Sequence, residues 1–189
     1  MRFAPEGQHY AFEPLPDLCA FLNEKYASFV NVHIYECALS DTAGKTTFQQ
    51  VVTNPANTGI RRRRYDRENE EVSQITVRTA MLDDLIPENV PISLIKVDVE
   101  GAELQVFKGA LKLIKKNKPI IIFEHGLGAA DYYGTKPEEV YDLLVGDCGL
   151  QVFLMADYLA GDGLTSLSRI AFCNQFYSGE NYYFMAKQQ

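Results

Sequence analysis

A chain of 189 residues with 47% hydrophobic and 23% charged side chains can bury a sizeable core, which excludes a disordered or collagen-like polymer. Its net charge of −7 argues against nucleic acid as a partner, because phosphates need a basic surface. No run reaches the roughly 18–20 apolar residues of a membrane span, and residues 1–7 carry no signal-peptide core. The expectation is one cytoplasmic domain over residues 1–189, acting on a small molecule or glycan, with no membrane or nucleic-acid partner.

The first strand signal is Gln8-His9-Tyr10-Ala11-Phe12-Glu13. Pro14 and Pro16 stop it and open an amphipathic helix to about Tyr26, with Leu18, Phe21 and Leu22 at helical spacing and Asp17 near the positive end. A second strand reads over 30–38, and Ser40-Asp41-Thr42-Ala43-Gly44 follows as turn chemistry. Residues 46–53 and 72–79 are β-rich and flank a polar stretch, the pattern of a β-hairpin excursion with a long tip. That tip holds Arg61-Arg62-Arg63-Arg64, followed by Asp66, Glu68, Glu70 and Glu71. The run admits a phosphate-binding reading, but the acids that follow at once favour a solvated, locally balanced loop.

A short helical piece over 81–86 leads to the most informative stretch. Residues 92–97 are nearly all apolar, as in a strand buried on both faces of a parallel sheet. They end in Asp98-Val99-Glu100-Gly101, and a helix opens immediately, with Leu104, Phe107, Leu111 and Ile114 on one face and Lys115, Lys116 and Lys118 at its end. Pro119 stops it. Ile120-Ile121-Ile122-Phe123 is a second such strand, ending in Glu124-His125-Gly126. Thr135-Lys136-Pro137-Glu138 reads as a capping box for a helix that stops near Gly149. Strands over 150–154 and 182–186 close the chain, separated by a loop with Gly161 and Gly163.

Alternating strands and helices specify an α/β layered fold with a mostly parallel sheet. Ligands of such sheets sit at the carboxyl ends of the strands. The residues of interest are therefore Glu13, Asp41, Asp98, Glu100, Glu124 and His125. The cysteines, Cys19, Cys37, Cys148 and Cys173, lie far apart with no CxxC pair, so buried free thiols in a reducing compartment are expected rather than a zinc site.

Leu94-Ile95-Lys96-Val97-Asp98-Val99-Glu100-Gly101-Ala102-Glu103, continued by Val106-Phe107-Lys108-Gly109-Ala110, resembles the central motif of FkbM-type methyltransferases. Tyr10-Ala11-Phe12-Glu13-Pro14 resembles that family's second strand, and Ala38-Leu39-Ser40-Asp41-Thr42-Ala43-Gly44 its third-strand motif. Leu82-Asp83-Asp84-Leu85 and the strand ending in Glu124 fall in the family's order. The resemblance implies a Rossmann-like class I methyltransferase sheet, order 3-2-1-4-5-7-6, with the last strand antiparallel. It implies S-adenosylmethionine (SAM) as methyl donor, and O-methylation of a sugar or natural-product hydroxyl. One departure stands out. Nothing upstream of Glu13 looks like the family's first strand and glycine-rich loop, and Gly126-Leu127-Gly128 follows the wrong strand to replace it. The expectation is a sheet with its first strand missing and a gap between the second and fourth.

At the strand ends, Glu13 can accept two hydrogen bonds from ribose hydroxyls; the plainer reading is a solvated acid. Pro14, Ser40, Asp41, Asp98 and Glu100 join it as cofactor-side candidates. Asp41 is equally good turn chemistry. Asp98 could act as general base toward an acceptor hydroxyl, orient the methionine amine, or hold a divalent cation with Glu100. Glu100 and Glu103 could equally be helix N-terminal acids. His125 is a candidate base because its intrinsic pKa lies near neutrality; His9 and His33 read as structural. Two further readings remain: a non-enzymatic fold remnant or interaction module, and another nucleotide-binding enzyme such as a dehydrogenase. An exposed sheet edge would also invite a homodimer.

Overall fold

The computed structural model describes residues 4–51, 58–61, 71–161 and 165–188. Arg62, Arg63, Arg64, Asp66, Glu68, Glu70 and Gly163 lie outside the described residues.

β1 (His9–Phe12) and β2 (Val32–Tyr35) form a parallel ladder, in register from His9 opposite Val32 to Phe12 opposite Tyr35. Aromatic pairs fix that register: Tyr10 stacks on His33 at 4.9 Å and Phe12 on Tyr35 at 5.3 Å between ring centroids. The connecting helix α1 (Pro16–Lys25) begins with a proline, whose missing N–H would have had no helical partner anyway.

The strand expected over 30–38 is broken in two. Val30 is 96% exposed. The Cys37 N–H bonds back to the Tyr35 carbonyl at 3.0 Å, a three-residue turn that ends β2 and redirects the chain. β3 (Ala38–Leu39) then enters a different sheet, parallel to β5 (Val72–Ala80), which pairs antiparallel with β4 (Gly44–Val51). This is the expected β-hairpin excursion, and its sheet order is β3-β5-β4. α2 (Leu82–Leu85) follows it.

The main sheet has four strands in the order β6-β7-β9-β8. β6 (Leu94–Val97) and β7 (Ile120–Glu124) are parallel, and β9 (Tyr183–Lys187) runs antiparallel to both β7 and β8 (Gln151–Leu154). The order β2-β1, then a gap, then β6-β7-β9-β8 is the one expected for a methyltransferase sheet without its first strand. The gap corrects one expectation. β6 is not buried on both faces; Leu94 is 58% exposed, and among the described residues no strand pairs with β6 on the edge away from β7.

The single helix expected after Gly101 is two. α3 (Glu103–Gly109) and α4 (Leu111–Asn117) meet at Ala110, where φ departs to −117°. Gly109 marks the reason: a Cβ there would stand 2.0 Å from the Ser40 carbonyl oxygen, so the turn after β3 presses directly on the helix backbone. The next helix, α5 (Pro137–Tyr141), starts one residue later than the Thr135 box. Lys136 is its N-cap, and the Glu139 carboxylate accepts the Lys136 N–H at 3.0 Å. It continues as a π-helical turn over Asp142–Asp147.

Between β8 and β9 the expected loop holds two helices, α6 (Met155–Ala160) and α7 (Arg169–Ser178). Ser168 caps α7 by accepting the Ala171 N–H at 3.2 Å. α7 sends Phe172 and Phe176 into the core, where Phe107, Phe123, Phe172 and Phe184 pack ring against ring at 4.7–6.4 Å. A smaller cluster of Leu15, Ala38, Phe48 and Val77 lies under the excursion. All four cysteines are buried free thiols, and burial raises their pKa values.

Candidate active site

A cavity of about 850 Å³ runs along the gap between β1 and β6. Its walls extend from Gly7 to Leu15 on one side and from Pro91 to Glu100 on the other. Four of the candidates, Glu13, Pro14, Asp98 and Glu100, line this one cavity at the carboxyl ends of the two strands. Its size falls within the range of small-molecule sites.

Each acid is held differently. Glu13 is half-buried, and its Oε1 accepts the Leu15 N–H at 2.8 Å. Burial raises its pKa, and the Leu15 hydrogen bond opposes the rise. Its second carboxylate oxygen has no partner among the described residues. Asp98 is 39% exposed and takes the Lys96 ammonium at 2.6 Å through Oδ2. Glu100 sits in the left-handed region at φ 58°, followed by Gly101 at φ 105°. A Cβ on Gly101 would stand 2.5 Å from the Ala129 backbone, so the strained turn is wedged against the loop after β7.

A second pocket of about 210 Å³ adjoins the ends of β6 and β7 and shares Glu100 with the first. Its other lining side chains include Glu103, Glu124, His125 and Tyr182. Glu103, expected only as a helix-terminal acid, is the polar centre of this region. Its side chain is 2% exposed and that of His125 0%. Glu103 Oε1 accepts the Gly101 N–H at 2.8 Å, and Oε2 faces His125 Nδ1 at 3.4 Å. Glu103 thereby ties the turn after β6 to the end of β7. The His125 ring lies parallel to Phe172 and 4.8 Å from Phe176, and its Nε2 has no hydrogen-bond partner among the described residues.

The excursion reaches the same place. The Arg61 N–H donates to Tyr133 Oη at 3.0 Å, and Arg61 Nη1 donates to the Tyr132 carbonyl at 3.0 Å. The guanidinium lies over the Tyr133 ring at 5.4 Å. A Cβ on Gly59 would come within 3.4 Å of Glu100 Cβ. Residues 58–61 thus roof the Glu100 turn. Ser40 and Asp41 are not brought into either cavity; they form the turn that presses on Gly109. Among the described residues no group of three or more His, Cys, Asp or Glu side chains could hold a metal ion. Nor is any helix among those residues long and apolar enough to cross a membrane.

Together these features define a layered α/β protein with an acid-lined cleft where such sheets bind ligands. The methyltransferase FkbM domain family matches residues 2–152, and the chain belongs to that family. It is similar to Methyltransferase sdnD of Sordaria araneosa, at 28% identity over 134 residues, covering 56% of this chain and 52% of that protein. The chain therefore spans about half the length of that curated relative. The crystal structure of methyltransferase FkbM from Methylobacillus flagellatus KT shares the fold, with a TM-score of 0.52 at 13% identity, covering 95% of this chain and 36% of that one.

Proposed function

We propose that the chain is the cofactor-side part of a SAM-dependent methyltransferase that acts on a hydroxyl of a small molecule or glycan. Membership of a methyltransferase family supports the reaction class. The observation that carries the cofactor is the convergence of Glu13, Asp98 and Glu100 on one cavity, at the ends of the two strands that flank the gap. The donor set suits an adenosyl group that bears a cation. Glu13 has a free carboxylate oxygen for ribose hydroxyls, and Asp98 and Glu100 offer negative charge to an ammonium or sulfonium. SAM supplies an electrophilic methyl group when bound.

The protein's own part is to orient the acceptor and take its proton. Asp98 is the better base of the two candidates: it lines the main cavity, is partly open, and keeps Oδ1 free while Lys96 holds Oδ2. His125 is enclosed by Phe172, Phe176 and Glu103, so its role is to position the Gly101 turn through Glu103. Ser40 and Asp41 would reach an adenine edge only from outside the cavity wall. The net charge of −7 fits a neutral or cationic acceptor rather than nucleic acid.

Isothermal titration of the 189-residue chain with SAM tests the reading. Binding is expected, and Glu13→Ala should weaken it about tenfold, the worth of one or two hydrogen bonds. No heat at millimolar SAM would overturn cofactor binding by this chain.

A further inference from the structure

The β4–β5 excursion is anchored at its base and fastened differently at its far end. At the base, β3 pairs with β5, and the turn at Ser40 presses on Gly109. At the far end, residues 58–61 lie along the edge of β4 that β5 leaves open. The Gln49 N–H donates to the Gly59 carbonyl at 2.7 Å, and the Gly59 N–H donates back to Gln49 O at 3.2 Å. Thr58 Oγ1 accepts the Val51 N–H at 3.0 Å. This strap therefore belongs to the hairpin. It supplies Thr58 and Ile60 to the wall of the larger cavity. Gly59 covers Glu100 so closely that a Cβ there would come within 3.4 Å of the Glu100 Cβ.

Arg61 ties the strap to the main-sheet half. Its N–H donates to Tyr133 Oη, its Nη1 donates to the Tyr132 carbonyl, and its guanidinium lies over the Tyr133 ring. Tyr132 and Tyr133 end a helical turn over Ala130–Tyr133, and the backbone of Ala129 and Ala130 is what wedges Gly101. One side chain thus joins the hairpin to the loop that fixes the Glu100 turn. Arg61 is exposed, where such contacts are individually weak and break readily. The hairpin's packing on Leu15, Ala38, Phe48 and Val77 is buried and does not.

We propose that Arg61 is a latch that holds the far end of the excursion down over the Glu100 turn, and that its release swings strap and hairpin tip away together, opening the cavity beside Thr58 and Ile60. Arg61 and Tyr133 are positioning residues in this account; neither lines the cavity. The latch does not depend on which ligand the cavity takes.

Amide hydrogen exchange on the free, full chain, followed by NMR, separates a latch from ordinary packing. The amide of residue 61 bonds across the latch to Tyr133, whereas that of Gly59 bonds to Gln49 within the hairpin. The Arg61 amide should be protected at least about tenfold less than the Gly59 amide. Arg61→Ala leaves the Tyr133 hydroxyl in place; it should speed exchange at residue 61 about tenfold and leave Gly59 within about twofold. Arg61→Lys keeps a cation for the Tyr133 ring and should recover part of the protection. Access is read separately. Thr58→Cys puts a thiol in the cavity wall, and a soluble aryl disulfide should label it about tenfold faster when Arg61→Ala is added. The parent chain, whose four cysteines are buried, supplies the background rate. Equal protection of Gly59 and Arg61 in the wild type would overturn the proposal. So would equal acceleration of both amides by Arg61→Ala, which would mean that the strap peels from β4, or a labelling rate that Arg61→Ala leaves unchanged. Faster exchange at Phe48 to the same extent as at residue 61 would reduce Arg61 to a contact of general stability and overturn it as well.

Discussion

Glu103 satisfies the Gly101 N–H with one oxygen and faces His125 with the other, and both side chains are buried. Removing a buried acceptor leaves its donors unpaired, which costs more than the bond itself was worth. Glu103→Ala should destabilise the chain by about 2–3 kcal/mol in urea unfolding, and Glu103→Gln, which keeps an oxygen for Gly101, should recover a good part of it. Equal losses for the two variants would mean that charge, not the Gly101 bond, is what matters. Glu13 makes the opposite prediction. Its folded pKa is raised by burial. The stability it contributes is therefore fully present below the unfolded carboxylate value and is lost as pH rises through the raised folded value. Glu13→Gln keeps the acceptor for Leu15 and removes that loss. The variant should melt at or above the wild-type temperature at pH 7, and the difference should vanish below about pH 4. A wild type that melts higher at pH 7 would show that the ionised carboxylate is stabilised by something other than Leu15.

At the level of elements, α7 is the helix the sequence conceals and the site depends on. Phe172 is fully buried between Phe123, Phe184 and His125, while Ile170 on the same helix is largely exposed. Phe172→Ala should cost about 3–5 kcal/mol in urea unfolding, whereas Ile170→Ala should stay within about 0.5 kcal/mol. Comparable losses would contradict the packing described. The signal for α7 was present in Phe172, Cys173 and Phe176, spaced for one helical face after the capping Ser168, but it is short and follows a glycine-rich stretch. Elements with a long apolar run, such as β7, or with local turn chemistry, such as the excursion's flanks, were legible. The acids at strand ends were legible too, because the strand motif itself places them. The burial of Glu103 was not legible, since the side chain that faces it, His125, comes from the end of another strand. The Arg61–Tyr133 contact depends on a loop folding back over another loop, and no periodicity encodes that.

On the scale of the whole molecule, the cleft between β1 and β6 divides the sheet into unequal parts. Two strands alone are marginal, whereas four strands packed on helices form an independent core. The β1–β2 ladder is joined to that core by side chains such as Tyr10 and Phe12, and among the described residues no backbone bonds cross the gap. β7, in contrast, is bonded on both edges, with Ile121 and Phe123 fully buried. Opening the ladder therefore exposes far less apolar surface than opening the main sheet, and its free energy should be correspondingly smaller. In hydrogen exchange on the free chain, the Ala11 amide, which faces β2, should exchange at least about 100-fold faster than the Phe123 amide, a difference of roughly 2.7 kcal/mol in opening free energy. Equal rates would mean that the two parts unfold as one cooperative unit despite the gap, through side-chain packing alone.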